Sequence, residues 1–392
     1  MKKKASFVSL VLLLLFVLCA PASAATVCKI GNKGYSSLQK AIDAVKDGQT
    51  IKVTKAIKSK TMVKSYNPTR ENPQGPSFTI DFANKKYTYS GYDYAFRITQ
   101  SKVTFKNINF VLQRGFILDG WPNTESSLTI TGGKYSGGVI ASINVGSSLL
   151  IKGGTFKYKG TMDTPIVNRG TLTVNGGTFD ACNVDNYGTC NLKGGKWTLK
   201  HRIAHLWNYN GGKMTISGGT YEGGGNTIWN DAGGEVAIKG GTLTTGGKIS
   251  GAGNYTITGG TISSKGSGPE PPLAVGGTTI IKNCTINYGI SCGENGKLTI
   301  DGGVCNGYIS ALNGGEITIN KMTVNTSTKN EWYHYPEIVC LIAREGGTIK
   351  VNGGSFTATN GYGYCQWDGG SVTFGAANPK NLFHVKELEL KR

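Results

Sequence analysis

The stretch Leu172-Thr173-Val174-Asn175-Gly176-Gly177-Thr178-Phe179 decides the fold. Leu172 and Val174 alternate with Thr173 and Asn175, the period-two pattern of a strand with one face turned inward. The glycine pair then lets the chain turn sharply without a Cβ penalty. Working outward, the same phrase recurs as LTITGGKY at 128, LLIKGGTF at 149, CNLKGGKW at 190, MTISGGTY at 214, VAIKGGTL at 236, YTITGGTI at 255, LTIDGGVC at 298 and IKVNGGSF at 349. Degenerate copies, VTFKNINF at 103, TIIKNCTI at 279 and ITINKMTV at 317, fill the gaps. The mean step is about 22 residues, with no helical period, which is the signature of a β-solenoid in which each repeat makes one coil. A single coil cannot bury its apolar face, so the copies must stack about 4.8 Å apart. Twelve such copies predict a rod of roughly 58 Å with an interior of Ile, Val and Leu.

Composition agrees with that reading. Of 392 residues, 59 are glycine, roughly twice the ordinary share of about 7%. No three-residue period runs through the chain, which excludes collagen. A hydrophobic fraction of 38%, with 18 Tyr and 13 Phe, is too rich for a disordered chain. The formal net charge is +19, mostly from lysine.

The flanks differ from the repeats. Residues 1–24 combine Lys2, Lys3 and Lys4 with an apolar run from Phe7 to Leu18 and the ending Ala22-Ser23-Ala24, the three parts of a secretory signal peptide cleaved near Ala24. Its apolar run is too short to span a bilayer, and export to the cell exterior or surface is expected. Residues 25–77 read as an N-terminal cap: Leu38, Ala41, Ile42 and Val45 share one face of a short amphipathic helix, a strand follows at Thr50–Val53, and Pro68, Pro73 and Pro76 mark a loop. Such a helix hides apolar interior and blunts strand edges at the open end of a solenoid. Coils are then expected over 78–375, with a C-terminal cap or tail over 376–392. Eight cysteines follow the signal segment: Cys28, Cys182, Cys190, Cys284, Cys292, Cys305, Cys340 and Cys365. None forms a CxxC pair, so no zinc site is indicated. Disulfides, such as Cys182 with Cys190 or Cys284 with Cys292 or Cys305, and buried free thiols are both open. A loop from Asn325 to Tyr335, rich in aromatics from Trp332 onward, is a further place for binding.

A second column runs beside the first. Asn144, Asn168, Asn186, Asn208 and Asn230 each stand at the same point before the next strand. Amides stacked on identical amides satisfy buried turn groups by a ladder of hydrogen bonds, a structural role.

The cap YSSLQKAIDAVKDGQTIKV, the coils and the asparagine ladder together resemble a right-handed parallel β-helix of the pectin-lyase-like superfamily, an all-β fold of about 12 coils with an N-terminal capping helix. Members of that superfamily include pectate lyases, polygalacturonases, phage tailspikes and surface adhesins, so the resemblance does not select a chemistry. A polygalacturonase would imply Asn-x-Asp, Asp-Asp and Gly-His-Gly motifs. Asn183-Val184-Asp185 matches the first by composition, but no Asp-Asp pair exists, and none of His201, His205, His334 or His384 lies between glycines. A pectate lyase would imply aspartates holding Ca²⁺ beside an arginine. Here the acids from 128 to 300, among them Asp163, fall mostly one to a coil.

Register supplies the best surface candidate. With Ile166, Val184, Leu206 and Ile228 inward, the next position presents Val167, Asp185, Trp207 and Trp229, and the residues after each Asn present Arg169, Tyr187, Tyr209 and Asp231. Flat rings suit the C–H faces of sugars, so Trp207, Trp229, Tyr187 and Tyr209 are the carbohydrate-binding candidates. Packing beneath a loop or shielding of the Asn ladder is the alternative. For an enzyme, the weak catalytic candidates are Asp185 and Asp231, two coils or roughly 9.6 Å apart, with Arg169, His201 and His205 assisting. Lys152, Lys193 and Lys239 share an outward slot before the glycine pair, with Lys157, Lys196 and Lys213 near them. Like charges at coil spacing attract polyanions or serve solubility, while nucleic acid is disfavoured because the rings are not arranged with Arg for base stacking. The reading that results is a secreted or cell-surface solenoid that binds carbohydrate or anionic surface polymers, adhesin-like, without chemistry, cofactor or metal. The alternative is a pectate-lyase-like or glycoside-hydrolase-like enzyme acting on acidic polysaccharide, with Ca²⁺ only in the lyase case.

Overall fold

A computed structural model describes residues 25–69, 72–120, 124–160, 164–199, 205–265, 271–327, 338–376 and 378–390. The expected signal peptide, Asp163, His201 and the stretch from Trp332 to Tyr335 lie outside these residues. The chain winds into a parallel β-solenoid of about 12 turns, 56% strand and 3% helix. No helix among the described residues is long and apolar enough to cross a membrane.

One coil shows the plan. Thr171–Val174 forms a first strand, Thr178–Asp180 a second and Val184–Asn186 a third. Each pairs in parallel with its counterpart one coil on, at Thr189–Leu192, Lys196–Leu199 and Leu206–Asn208. Leu172 faces Cys190, Phe179 faces Trp197 and Asn186 faces Asn208. Equivalent letters of successive repeats therefore form straight files along the rod.

The glycine pair is required for two separate reasons. Gly177 sits at φ 114°, a region that L side chains rarely adopt, and an added Cβ would lie 2.9 Å from the Gly154 carbonyl oxygen. At Gly194, the first of its pair, an added Cβ would lie 2.5 Å from the Asn175 oxygen of the preceding coil. The first glycine thus gives clearance beneath its neighbour and the second gives the turn.

Inward files build the core. Ile130, Ile151, Val174, Leu192, Ile216, Ile238 and Ile257 are all fully buried at the end of the first strand. The second strand contributes rings: Phe156 stacks on Phe179 at 5.0 Å between centroids, and Phe179 on Trp197 at 3.9 Å, with interplanar angles of 6° and 9°. Coil spacing imposes this near-parallel stacking, which adds about 0.5–1.5 kcal/mol per pair beyond area burial. Cysteines occupy the same inward slots. Cys190 follows Leu172 and Cys305 follows Ile286. All eight cysteines are buried thiols rather than disulfides, and burial pushes Cys190 and Cys284 up to about 12. They behave as small hydrophobes.

At the N-terminus the expected helix spans Leu38–Ala44, with the Ser37 hydroxyl accepting from the Lys40 N–H at 3.2 Å and Leu38, Ala41 and Ile42 buried. Stacking starts earlier than residue 78, because Thr50–Val53 already pairs in parallel with Phe78–Asp81. Ile57–Ser59 and Val63–Lys64 likewise pair with the second and third strands of the next coil, Tyr87–Tyr89 and Phe96–Thr99. This first coil lacks the glycine pair, so the repeat pattern does not mark it. Toward the C-terminus, Phe383–Leu390 pairs in parallel with Ser355–Gln366. The segment after 376 is therefore a further rung as well as an end.

Because Phe179 is sandwiched between two rings, Phe179→Ala is expected to cost about 3–5 kcal/mol, read from the shift in denaturant midpoint. A loss below about 1 kcal/mol contradicts the stacked core.

Candidate functional site

The site is built on the third strand and the turn after it. In successive coils Val167, Asp185, Trp207 and Trp229 are in register, and their neighbours Ile166, Val184, Leu206 and Ile228 are fully buried. Alternation along the strand therefore turns the two indoles outward, and Trp229 is 36% exposed.

Beneath the rings runs the amide ladder. Asn168 Nδ2 donates to Asn186 Oδ1 at 2.7 Å, Asn186 Nδ2 to Asn208 Oδ1 at 2.7 Å, and Asn208 Nδ2 to Asn230 Oδ1 at 2.8 Å. All four are fully buried, and each bond passes to the next coil. The ladder has four rungs rather than five. Ile143, not Asn144, faces Asn168, and Asn144 instead donates to Asp119 at 2.6 Å. The 24-residue spacing before Asn168 hides this one-residue slip, which a period-two strand converts into a change of face. Beyond Asn230, whose amide donates to the Asn254 carbonyl at 2.9 Å, the Ile-Trp-Asn triplet gives way to Ile249-Ser250-Gly251.

Above the ladder the rings form a staircase. Tyr187 stacks on Tyr209 at 4.1 Å and 10°, Trp207 on Tyr209 at 5.2 Å and 6°, and Trp207 meets Trp229 at 6.3 Å with a tilt of 57°. The Arg169 guanidinium lies 5.0 Å from the Tyr187 ring centroid, a cation–π contact. Both oxygens of Asp231 are engaged by indole N–H groups: Trp207 donates to Oδ2 at 3.1 Å and Trp229 to Oδ1 at 2.8 Å. One carboxylate thus aims two rings, and it is a positioning group. Tyr187, 39% exposed, and Trp229 present the widest ring surface.

The proposed catalytic groups Asp185 and Asp231 lie on either side of Tyr209, whose phenol is raised in part by the charge of each. Asp185 lies in the third strand, while Asp231 lies in the turn beyond Asn230, two coils on. Burial pushes the Asp185 carboxyl above the usual carboxylate range, opposed by a hydrogen bond from Thr164 at 2.8 Å and by Arg169. Burial, a hydrogen bond with Tyr187 and the charge of Asp185 raise the Tyr209 phenol. His205 is fully buried, and an added Cβ at Gly223 would lie 3.3 Å from its Cδ2. Its burial at the corner of the coil keeps it from the exposed ring face, although it immediately precedes the inward Leu206. Among the described residues no three His, Cys, Asp or Glu side chains form a group able to hold a metal ion.

One concavity was not legible in the repeats. A groove of about 600 Å³ lies on the N-terminal side of the rings, lined by Tyr89, Tyr92, Arg114 and Tyr158 together with Gly137 and Gly138. The glycine pair at 137–138, which falls outside the repeat phrase, is its trace in the sequence: an added Cβ at either residue would run into the backbone of the preceding coil, at Leu112 and Gln113. Compared with known proteins, the chain matches no family model, no curated protein and no solved structure.

Asp185 also predicts a pH effect. Its folded-state proton affinity is raised, so between the usual carboxylate range and its folded value the native state binds more protons than the unfolded one. Stability contributed by this group therefore falls as pH rises through that window. Asp185→Asn is expected to remove the decline, seen as a difference between variant and wild type that grows from pH 4 toward neutrality in denaturant midpoints. A constant offset across that range contradicts the assignment.

Proposed function

We propose that the chain is an exported, adhesin-like β-solenoid of the pectin-lyase-like kind that binds carbohydrate through the ring staircase, without chemistry. The observation that carries this reading is the pair of outward indoles held by one carboxylate. Their orientation is set before any ligand arrives, so little rotamer entropy remains to be lost on binding. Rings stepping from coil to coil along the rod axis, flanked by Arg169 and Asp185, offer apolar platforms for sugar faces with polar groups beside them for hydroxyls. The open, ridge-like form of the staircase suits an extended polymer more than a small enclosed molecule.

A second reading, an enzyme acting on acidic polysaccharide, draws on Asp185. A partly buried carboxyl with raised proton affinity, close to an arginine and a raised tyrosine phenol, is the kind of group that serves as a general acid. Its difficulty is the second carboxylate, Asp231, whose two oxygens both accept from indoles.

Incubation with polygalacturonate and glycosaminoglycans distinguishes the readings: new reducing ends or unsaturated product establish chemistry, and binding without turnover supports the first. Trp207→Ala combined with Trp229→Ala is expected to weaken glycan binding roughly tenfold or more, measured by titration calorimetry. Unchanged affinity removes the staircase as the binding surface.

A further inference from the structure

The slot just before the glycine pair forms a file along one corner of the rod. Backbone bonds define its members, since each N–H donates to the interior residue one coil back: Lys152 to Ile130, Asn175 to Ile151, Lys193 to Val174, Ser217 to Leu192, Lys239 to Ile216, Thr258 to Ile238 and Lys282 to Ile257. The same slot holds Thr131, which follows Lys106. Lysines therefore recur not at every coil but at every second coil: Lys106, Lys152, Lys193, Lys239 and Lys282. Neutral Thr131, Asn175, Ser217 and Thr258 stand between them, and acids close both ends, with Asp81 in register with Lys106 and Asp301 one coil after Lys282.

All five lysines are exposed, and none has an ion pair among the described residues. The opposite end of the same strands behaves differently. There Lys102 meets Glu125, Lys213 meets Glu235 and Lys297 meets Glu316, each one coil on, at 2.7, 3.4 and 3.6 Å. Lys213 consequently belongs to a compensated edge, away from Lys193, and Lys157 is likewise compensated, by Asp180 at 3.0 Å. One edge is neutralised pair by pair, while the glycine corner carries five lysines without an ion pair among the described residues, about 10 Å apart over roughly 38 Å.

We infer that this file is a ruler for a linear acidic glycan lying parallel to the rod, with one negative charge on every second sugar. The inference rests on the polysaccharide-binding reading and names its polymer class. A pyranose with its glycosidic oxygen advances a chain by close to one coil rise, so alternate sugars meet alternate coils. Duplex nucleic acid fits poorly, because its phosphates recur about every 3.4 Å along each strand, far denser than the file. Adjacent lysines stand farther apart than the Debye length of about 8 Å at physiological salt, so they coexist without a counter-ion partner and are available to one.

The test keeps net charge constant and changes only spacing. Asn175→Lys with Lys239→Asn places three lysines on successive coils and leaves a four-coil gap; both positions are exposed, and thermal unfolding checks the fold. The probe is hyaluronan, which carries one carboxylate per disaccharide, in an oligosaccharide at least as long as the file. The rearranged variant is expected to bind about fivefold or more weakly than wild type, with a smaller loss of affinity on adding salt. Equal binding by the two proteins overturns the ruler, as does tighter binding of duplex DNA than of hyaluronan by the wild type. Either result leaves the ring-face reading standing if Trp207→Ala with Trp229→Ala still weakens binding of a neutral glycan. Failure of wild type to bind any glycan, charged or neutral, removes both.

Discussion

Parallel pairing in strict register between one coil and the next is the constraint from which the other features follow. Backbone N–H and C=O groups of each strand must find partners about 4.8 Å away on the neighbouring coils, and those partners belong to the equivalent residues of the next repeat. Any side chain chosen at one position therefore meets its own counterpart above and below. Rings stack on rings, as at Phe156, Phe179 and Trp197. Amides bond to amides, as from Asn168 to Asn230.

This geometry gives the outer surface a quality that globular folds seldom have. A functional group on the solenoid is a member of a file, and its effect depends on what occupies the same slot one and two coils away. The ring staircase arises because Trp207 and Trp229 follow one another and Tyr187 and Tyr209 follow one another, with Asp231 closing the sequence at the point where it can accept from both indoles. The lysine corner arises because neutral residues alternate with charged ones. Both surfaces run along the rod and so suit ligands that are themselves repetitive and extended.

Where the files are interrupted, the structure changes character. The ladder stops at Asn168 because Ile143 takes the position opposite it, and the groove near Tyr92 lies where Gly137 and Gly138 let the chain pass close to the backbone of the preceding coil. At the two ends different devices serve: the Ser37-capped helix closes the first coils, and Phe383–Leu390 presents Lys386, Glu387 and Glu389 on the last rung. Charges on a terminal strand discourage pairing with another chain.

The repeated phrase, by itself, determined the solenoid, its coil length, the inward and outward alternation and the adjacency of Trp207 with Trp229, because a period-two strand with a glycine-pair corner has one way to bury its apolar face. It also placed the helix over Leu38–Ala44, since four apolar residues at helical spacing need a surface to cover. The tertiary structure alone decided what depends on register to a single residue or on reach between files: the exclusion of Asn144, the burial of His205, the start of stacking at Thr50 in a coil without the glycine signal, and the grip of Asp231 on two indoles. Repeat lengths vary from coil to coil, so counting along the chain does not fix the register outside the glycine-pair phrase. Hydrogen bonds between coils do.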